Sequence, residues 1–549
     1  MPFLPLTVGS TDATSPVGPH GVHVAFGPEP ETDMRIGWSG SAAANAYVEY
    51  GTQTLEESAP ARSTPLPSER SIAYDVDLTG LDSGTTYQYR AVMDGRTSET
   101  NTFETAPTNP ESFSVTAVGD NGTDENSLAV NEISDQQDAA MHLGVGDLSY
   151  ANGVPSIWEE YFGDNEFHFG STPFMTTPGN HEAEPGTGLY QYDTRLNLLM
   201  PGTDATGGIE AKQRWYDFQY GDTLFIALTT TVDACGDVSR GEEAIPLYDP
   251  RCQTEDHLIV GEHQREYLEQ TLRGAEKDDS IKWKVVYFHG PLWTDGTTHP
   301  SREDLQEVWG PLFDEYDVDL ALSGDNHLYE RSETIRRQSI AATGTTFVTN
   351  GSGGQLRYDY THEDRPDFLA FRDNDHFGVT RMEFSAESID VEFVATDGVV
   401  VDAFSIVKDG EGRPMQVGTE QIEAFGDRID DGSVFTGGQT DHVRLQVEEA
   451  SVPALIRDVV PVEWDVLGHG DAAWVDPDGA PEGHKLVYFE VDPAESFTVE
   501  YFVEAPADPA ATGEYTFGPF QAKGVDTRDW IDVPGTSSTE RVVAEDTTL

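Results

Sequence analysis

Lysine is almost missing from this chain. Its 549 residues include only Lys212, Lys277, Lys282, Lys284, Lys408, Lys485 and Lys523, so arginine supplies most of the 32 basic side chains that face 99 acidic ones. The net charge of -67 is spread through all regions rather than gathered in a tail. A basic face for phosphate backbones is therefore excluded, and with it nucleic acid as an expected binding partner. A solvated acidic shell of this kind suits proteins that work in concentrated salt, and the expectation is a halophile's acidic protein. An acidic extracellular calcium-binding protein is the alternative on composition alone. In about 1 M salt the Debye length is only about 3 Å, so the overall charge would hardly steer a substrate, and an anion would have to be held locally.

Long apolar runs are missing too. None approaches the roughly 18 residues of a membrane span. Neither Arg nor Lys precedes Arg35, so the opening stretch MPFLPLTVGSTDATSP shows no charged signal-peptide region and no twin-arginine pair. Cysteine occurs twice, as Cys235 and Cys252 around CGDVSRGEEAIPLYDPRC. A bridge closing that loop would contribute about 3 kcal/mol in the chain-entropy model and would point to an oxidising compartment. Two free thiols are the other reading, and the spacing fits no zinc pattern.

At roughly 150 residues per domain, the length implies about three or four domains. Residues 1–17 read as a tail. From 18 to 107 short alternating strands (GVHVAFG, DMRIGWSG, AYVEYG, IAYDVDLTGL, TYQYRAVMDG, SETNTFETAP) predict an antiparallel β-sandwich. After an Ala-Pro-Thr-Asn-Pro linker the pattern changes at 111. Strands such as SFSVTAVGD, AAMHLGVGD and IKWKVVYFHG alternate with helical stretches such as SLAVNEISDQQ, GEHQREYLEQTLRGAEK and EDLQEVWGPLFDEYD. That alternation, running to 408, predicts an α/β domain whose ligands bind at strand carboxyl ends. Residues 409–549 are strand-like and rich in Asp, Gly and Pro, a further β-rich domain without a chemical constellation.

Five strand ends carry chemistry: VGDNG with Asp120, VGDLSY with Asp147 and Tyr150, TPGNHE with Asn180, His181 and Glu182, VVYFHGP with His289, and LSGDNH with Asp325 and His327. Singly each is weak, because Gly-Asp recurs in turns of so acidic a chain. Together each follows an apolar strand, each has a glycine that lets the backbone approach closely, and a dinuclear metal site accounts for all five. Asp325 and His327 alternate and are expected on the same side of an extended backbone. Glu330 and Arg331 are expected to pair behind the site.

In this order the motifs resemble those of the purple acid phosphatases, a branch of the calcineurin-like metallophosphoesterases. GDNG, GDLSY, GNHE, VYFH and GDNH stand where that family has GDxG, GDxxY, GNH(D/E), VxxH and GHxH, and HVAFG, VEYG, LTGLDSGTTYQYR and TFETAP look like its fibronectin-III-like sandwich. The resemblance covers about 18–408 and implies a multidomain α/β plus all-β architecture. That is an N-terminal β-sandwich, a central α/β/β/α metallophosphoesterase sandwich (111–408), and the β-rich 409–549 beyond it. It further implies two metal ions. Asp120, Asp147, Tyr150 and His327 would hold the first, with Fe(III) favoured by a phenolate; Asp147, Asn180, His289 and Asp325 would hold the second, a divalent Fe, Mn, Mg or Zn. His181 and His299 would contact phosphate and the leaving oxygen. The implied activity is hydrolysis of phosphate monoesters of small substrates by a metal-bound hydroxide.

The chain departs from the family at Asp325, where the family has His. An added carboxylate shifts preference toward harder ions and places negative charge beside the phosphate. A phosphodiesterase or nucleotidase on the same core, with specificity set by loops 183–215 and 232–262, is the alternative activity. A non-catalytic halophile surface binding protein is the alternative class. Resemblance to a mostly secreted family and the Cys235–Cys252 pair favour an extracellular or cell-surface location, against the opening stretch. Oligomeric state is not legible.

Overall fold

The computed structural model describes residues 17–66, 71–184, 188–196, 198, 214–232, 245–246 and 255–418, and beyond them 424–430, 432, 434–450, 453–470, 474–476, 483–490, 497–524, 531–533 and 536–543. Cys235 and Cys252, and most of the loops 183–215 and 232–262, lie outside the described residues. Tertiary contacts divide the chain into two compact units, 1–416 and 417–549.

The first unit opens with two antiparallel sheets. One orders His20–Phe26, Met34–Gly40, Ile72–Leu78 and Arg62–Pro65; the other is built on Ala46–Gly51 and Thr86–Met93. Among the described residues, Glu57–Pro60 and Arg62–Pro65, with the two-residue strand Arg96–Thr97, are additional to the six expected. Their exposed Ser, Pro and charged residues carry no alternation to read. Met34–Gly40 is buried along its whole length, because the sandwich also packs on the following domain. His23 stacks on Phe162 at 4.4 Å, and the Tyr89 hydroxyl donates to the carbonyl of Gly170 at 2.6 Å. A single apolar core runs through both.

Two seven-stranded sheets follow. The first orders Phe174–Thr177, Met141–Val145, Ser112–Val118, Gly378–Ser385, Ser388–Ala395, Val400–Lys408 and Pro414–Gly418. Its first three strands are parallel. The second orders Tyr216–Tyr220, Thr223–Ala227, Trp283–Tyr287, Leu320–Ser323, Thr346–Asn350, Tyr329–Ser332 and Leu369–Asp373, with four parallel strands at its centre. Their inner faces meet through Phe113, Phe225 and Phe384, and Tyr329 stacks on Phe393 at 4.2 Å. Strands covered on both sides read as unbroken apolar runs, and Trp283–Tyr287 is buried throughout. Helix Glu125–Asp135 covers the first sheet, its first turn capped by the Asp124 carboxylate. Leu268 and Leu272 of helix Glu255–Ala275 pack with Trp309 and Phe313 over the second. The layers are therefore α/β/β/α. The stretch expected as one helix over 303–317 forms two, Glu303–Val308 and Gly310–Glu315, because Pro311 has no N–H to continue the first. Helix Pro155–Asp164 was not legible as a period, yet it buries Trp158, Tyr161 and Phe162.

The second unit is β-rich, with four-, three- and five-stranded sheets around Phe435, Trp464, Phe489, Tyr501 and Phe517. The buried Arg428 guanidinium reaches the carboxylates of Asp458 and Asp430 and lies over the Phe517 ring at 4.9 Å. Buried charge is tolerated when paired in this way.

Candidate metal centre and active site

The loops after Val118 and Val145 are laced together backbone to backbone. The N–H groups of Asp120, Asn121 and Gly122 donate to the carbonyls of Gly146, Asp147 and Leu148 at 3.1, 3.0 and 2.8 Å. Asp120, Asp147, Tyr150, Asn152 and Asp325 all adopt left-handed backbone, with φ of 58°, 52°, 53°, 50° and 68°. Such conformations cost free energy for residues with a Cβ and collect where function fixes geometry. At Gly179 a Cβ would lie 2.1 Å from Asp147 Oδ1, so only glycine admits that carboxylate.

Glu182 holds this geometry from behind. Its fully buried carboxylate accepts the N–H groups of Asp147 at 2.8 Å, Leu148 at 2.9 Å and Gly179 at 2.7 Å. Burial and the nearby Asp147 charge push its carboxyl up to about 8, against the pull of the Gly179 and Leu148 N–H groups and of His289.

The donor atoms gather in two adjoining groups. In one, the Tyr150 hydroxyl donates to Asp120 Oδ1 at 3.0 Å and lies 3.0 Å from His327 Nε2, which is 3.3 Å from Asp120 Oδ1. In the other, His289 Nε2 lies 3.0 Å from Asn180 Oδ1, 3.3 Å from Asp147 Oδ2 and 3.5 Å from Asp325 Oδ1. Ligand atoms of Asp120, Asp147 and His289 all lie within 4.8 Å of one another. These donor–donor separations match the edges of a polyhedron around one cation with bonds of about 2.0–2.2 Å. The imidazoles are also set for ligation. His289 Nδ1 donates to the Val145 carbonyl at 2.9 Å and His327 Nδ1 to the Leu356 carbonyl at 2.7 Å, leaving each Nε2 for the cluster.

The electrostatics ask for positive charge. Among the described residues the ion-pair partners of Asp120, Asp147 and Asp325 are histidines only. Burial opposes ionisation of Asp147, yet His289 and His181 hold its carboxyl down at about 2. His289 is held well above the ordinary imidazole range, since Asp147 and Asp325 outweigh burial. Burial and the Asp120 and Asp147 charges push the Tyr150 phenol well up. A cation would relieve all of these at once.

His181 and His299 sit at the open side. His181 Nδ1 donates to Asn152 Oδ1 at 2.6 Å, and its ring lies 4.3 Å from Tyr150. His299 Nδ1 is 3.4 Å from Asp325 Oδ1, and buried Asn326 pins the His299 backbone at both N–H and carbonyl. Every expected site residue thus reaches the same cluster. Two expectations about neighbours fail. Asp325 and His327 do not lie on one extended face: the strand ends at Ser323, Asp325 turns left-handed, and the two side chains serve different groups. Arg331 pairs with Asp402 at 2.8 Å, while Glu330 accepts from the Thr294 hydroxyl and the Asp295 N–H. Neighbours on a strand point to opposite faces and cannot pair.

Asn152, Asn326 and Tyr358 were not identified from sequence. A signal existed for Tyr358, since strand Thr346–Asn350 also empties into glycine-rich Gly-Ser-Gly-Gly. At Gly353 a Cβ would meet the Gly119 carbonyl at 2.1 Å.

Comparisons with known proteins find matches along the first unit. Residues 19–105 match the family model "Purple acid Phosphatase, N-terminal domain", 113–329 match "Calcineurin-like phosphoesterase", and 344–403 match "Iron/zinc purple acid phosphatase-like protein C". An uncharacterized protein of Mycobacterium tuberculosis is 29% identical over 355 residues, 58% of this chain and 63% of that protein. The chain thus spans less than two thirds of that relative's length. Probable purple acid phosphatase 20 of Arabidopsis thaliana is 25% identical over 386 residues, covering 67% of this chain and 82% of the relative. The solved purple acid phosphatase PPD1 of yellow lupin shares the fold, with a TM-score of 0.57 at 23% identity over 72% of this chain and 76% of that one. The three matched models follow one another along the first unit, the middle one spans Asp120 to His327, and on that evidence the chain belongs to the purple acid phosphatase family.

Proposed function

We propose that the protein is a dinuclear-metal-dependent acid phosphatase that hydrolyses phosphate monoesters. One observation carries this reading: Asp120 and Asp147, buried at strand ends, and Asp325, partly exposed beside them, meet only imidazoles as ion-pair partners among the described residues. Asp120, Asp147, Tyr150 and His327 would hold one ion; Asp147, Asn180, His289 and Asp325 would hold the other. Bound there, two cations would neutralise the phosphoryl oxygens and make water acidic enough to attack at neutral pH. The Tyr150 phenol, pushed up by burial, ionises only beside a strong Lewis acid, which favours Fe(III) in the first group. Three oxygens against one nitrogen favour a hard divalent ion in the second.

The chain's own groups then handle substrate and protons. His181 has its Nδ1 proton committed to Asn152, so Nε2 is the atom left to give a proton to the leaving oxygen. His299, its backbone pinned by Asn326, contacts the phosphoryl group from the far side of Asp325. We assign this chemistry to 111–408, with 18–107 and 409–549 as β-rich domains outside it, and the acidic shell to work in concentrated salt.

A second reading, a phosphodiesterase on the same centre, is favoured by Asp325: its carboxylate, 3.5 Å from His289 Nε2, repels a monoester dianion more than a diester monoanion. Metal analysis with a visible spectrum in high salt, alongside turnover of p-nitrophenyl and bis-p-nitrophenyl phosphate, tests both. Two metals per chain, a violet band lost in Tyr150→Phe and faster monoester turnover are expected. Faster diester turnover selects the second reading, and no bound metal with no turnover after reconstitution rejects both.

A further inference from the structure

Five rings run in an unbroken arc beside the acidic cluster. His181 lies 4.3 Å from Tyr150, Tyr150 meets His327 edge-on at 6.2 Å, Tyr358 stacks on His327 at 4.0 Å and 13°, and His299 lies 6.0 Å from Tyr358. Four of these rings have a task in the proposed function. Tyr358 has none, since it contributes no donor atom to either group.

Tyr358 is nevertheless held as firmly as the ligands. Its N–H donates to the His327 carbonyl at 3.1 Å, and its own carbonyl accepts from Asn374 Nδ2 at 2.9 Å. On one side the Gln355 N–H reaches the Asp120 carbonyl at 3.4 Å; on the other Thr361 and Thr297 tie residues 359–361 to the loop that carries His299. The ring is half-buried, and among the described residues its hydroxyl makes no hydrogen bond. Leu356 beside it is 84% exposed. Among the described residues no Lys or Arg is hydrogen-bonded or ion-paired to His181, His299 or Asp325. Arg357, the cation between Leu356 and Tyr358 in the chain, has its guanidinium over the Phe377 ring, and the Tyr358 ring and exposed Leu356 offer aromatic and aliphatic surface beside the centre.

We propose that Tyr358 is a specificity-determining residue: its fixed ring is the wall against which a planar aromatic leaving group of a phosphate ester packs. Aromatic pairs add affinity beyond area burial, enough for a roughly three- to tenfold preference, and a ring already immobilised loses little freedom on binding. The inference rests on the phosphoesterase reading for its substrate, whereas its test does not need turnover.

Binding of phenylphosphonate and methylphosphonate to the metal-loaded full chain, measured by titration calorimetry, reads the preference directly. Wild-type protein is expected to bind the phenyl compound about fivefold more tightly. Tyr358→Phe should keep that ratio and Tyr358→Ala should bring it near one. Tyr358→Leu, which keeps apolar bulk against His327, should also lose it and carries the test if the alanine variant fails to fold or load metal. An unchanged ratio in both truncations, or no phenylphosphonate binding by the wild type, overturns the inference. Aromatic preference without ester turnover would instead remove the phosphatase reading and leave Tyr358 its role. Turnover without a Tyr358-dependent preference would do the reverse.

Discussion

Glu182 accepts the backbone N–H of Asp147 at 2.8 Å, so the Asp147 carboxylate is positioned by a second, fully buried carboxylate. Two acids this close are held apart in protonation by their surroundings: Asp147 is kept at about 2 and Glu182 is pushed to about 8.

Replacing Glu182 by Ala leaves the N–H groups of Asp147, Leu148 and Gly179 without their acceptor. Buried unsatisfied donors cost about 1–3 kcal/mol each. Glu182→Ala should therefore lower unfolding free energy by at least about 3 kcal/mol in denaturant titration and reduce bound metal. Unchanged stability would mean the loop is held by other contacts.

The Asp325→His variant exchanges one oxygen ligand of the second group for nitrogen. Zinc should then gain on manganese in competition, by about tenfold or more, because imidazole suits zinc while carboxylate suits harder ions. Equal selectivity before and after would show that residue 325 does not ligate.

His181→Ala removes the Nε2 proton donor. Alkyl phosphates should slow by about a hundredfold or more, and p-nitrophenyl phosphate, with its stable leaving group, by less than about tenfold. Equal losses would reassign His181 to phosphate binding alone.

Glu330 links stability to pH. Burial first, then the Asp295 charge, push its carboxyl up to about 7 from an ordinary 4.5, against its bonds to Thr294 and Asp295. The folded state holds this proton more tightly than the unfolded state, so the contribution is complete below about 4.5 and is lost as pH rises through about 7. Compared with Glu330→Gln, wild-type unfolding free energy should fall across that window by on the order of 3 kcal/mol. A difference that stays constant with pH would place the Glu330 carboxyl in the ordinary range.

The sequence made the strands legible where each had one simple environment. Val-rich runs buried on both faces, such as VTAV at 115–118 and KVVY at 284–287, and the glycine-punctuated motifs that follow them could be read directly. Elements lacking a period could not: Pro155–Asp164 buries its aromatics against the neighbouring sandwich, and the edge strands near residue 60 bury almost nothing. The pairing of Arg331 with Asp402, 71 residues away, could not be read from either local stretch.

Residue identity alone determined which atoms can ligate: carboxylate, amide oxygen, phenol and imidazole at strand ends, with one carboxylate where the family has an imidazole. Tertiary structure decided which of them meet and which atom each presents. Asp325 and His327, two positions apart, serve different donor groups because the backbone turns left-handed between strand and site. Nε2 of His289 faces the cluster because Nδ1 finds a carbonyl at Val145, 144 residues away. Local sequence fixes chemistry and backbone preference, but a donor's direction is set by partners that only the packed sheets bring within reach.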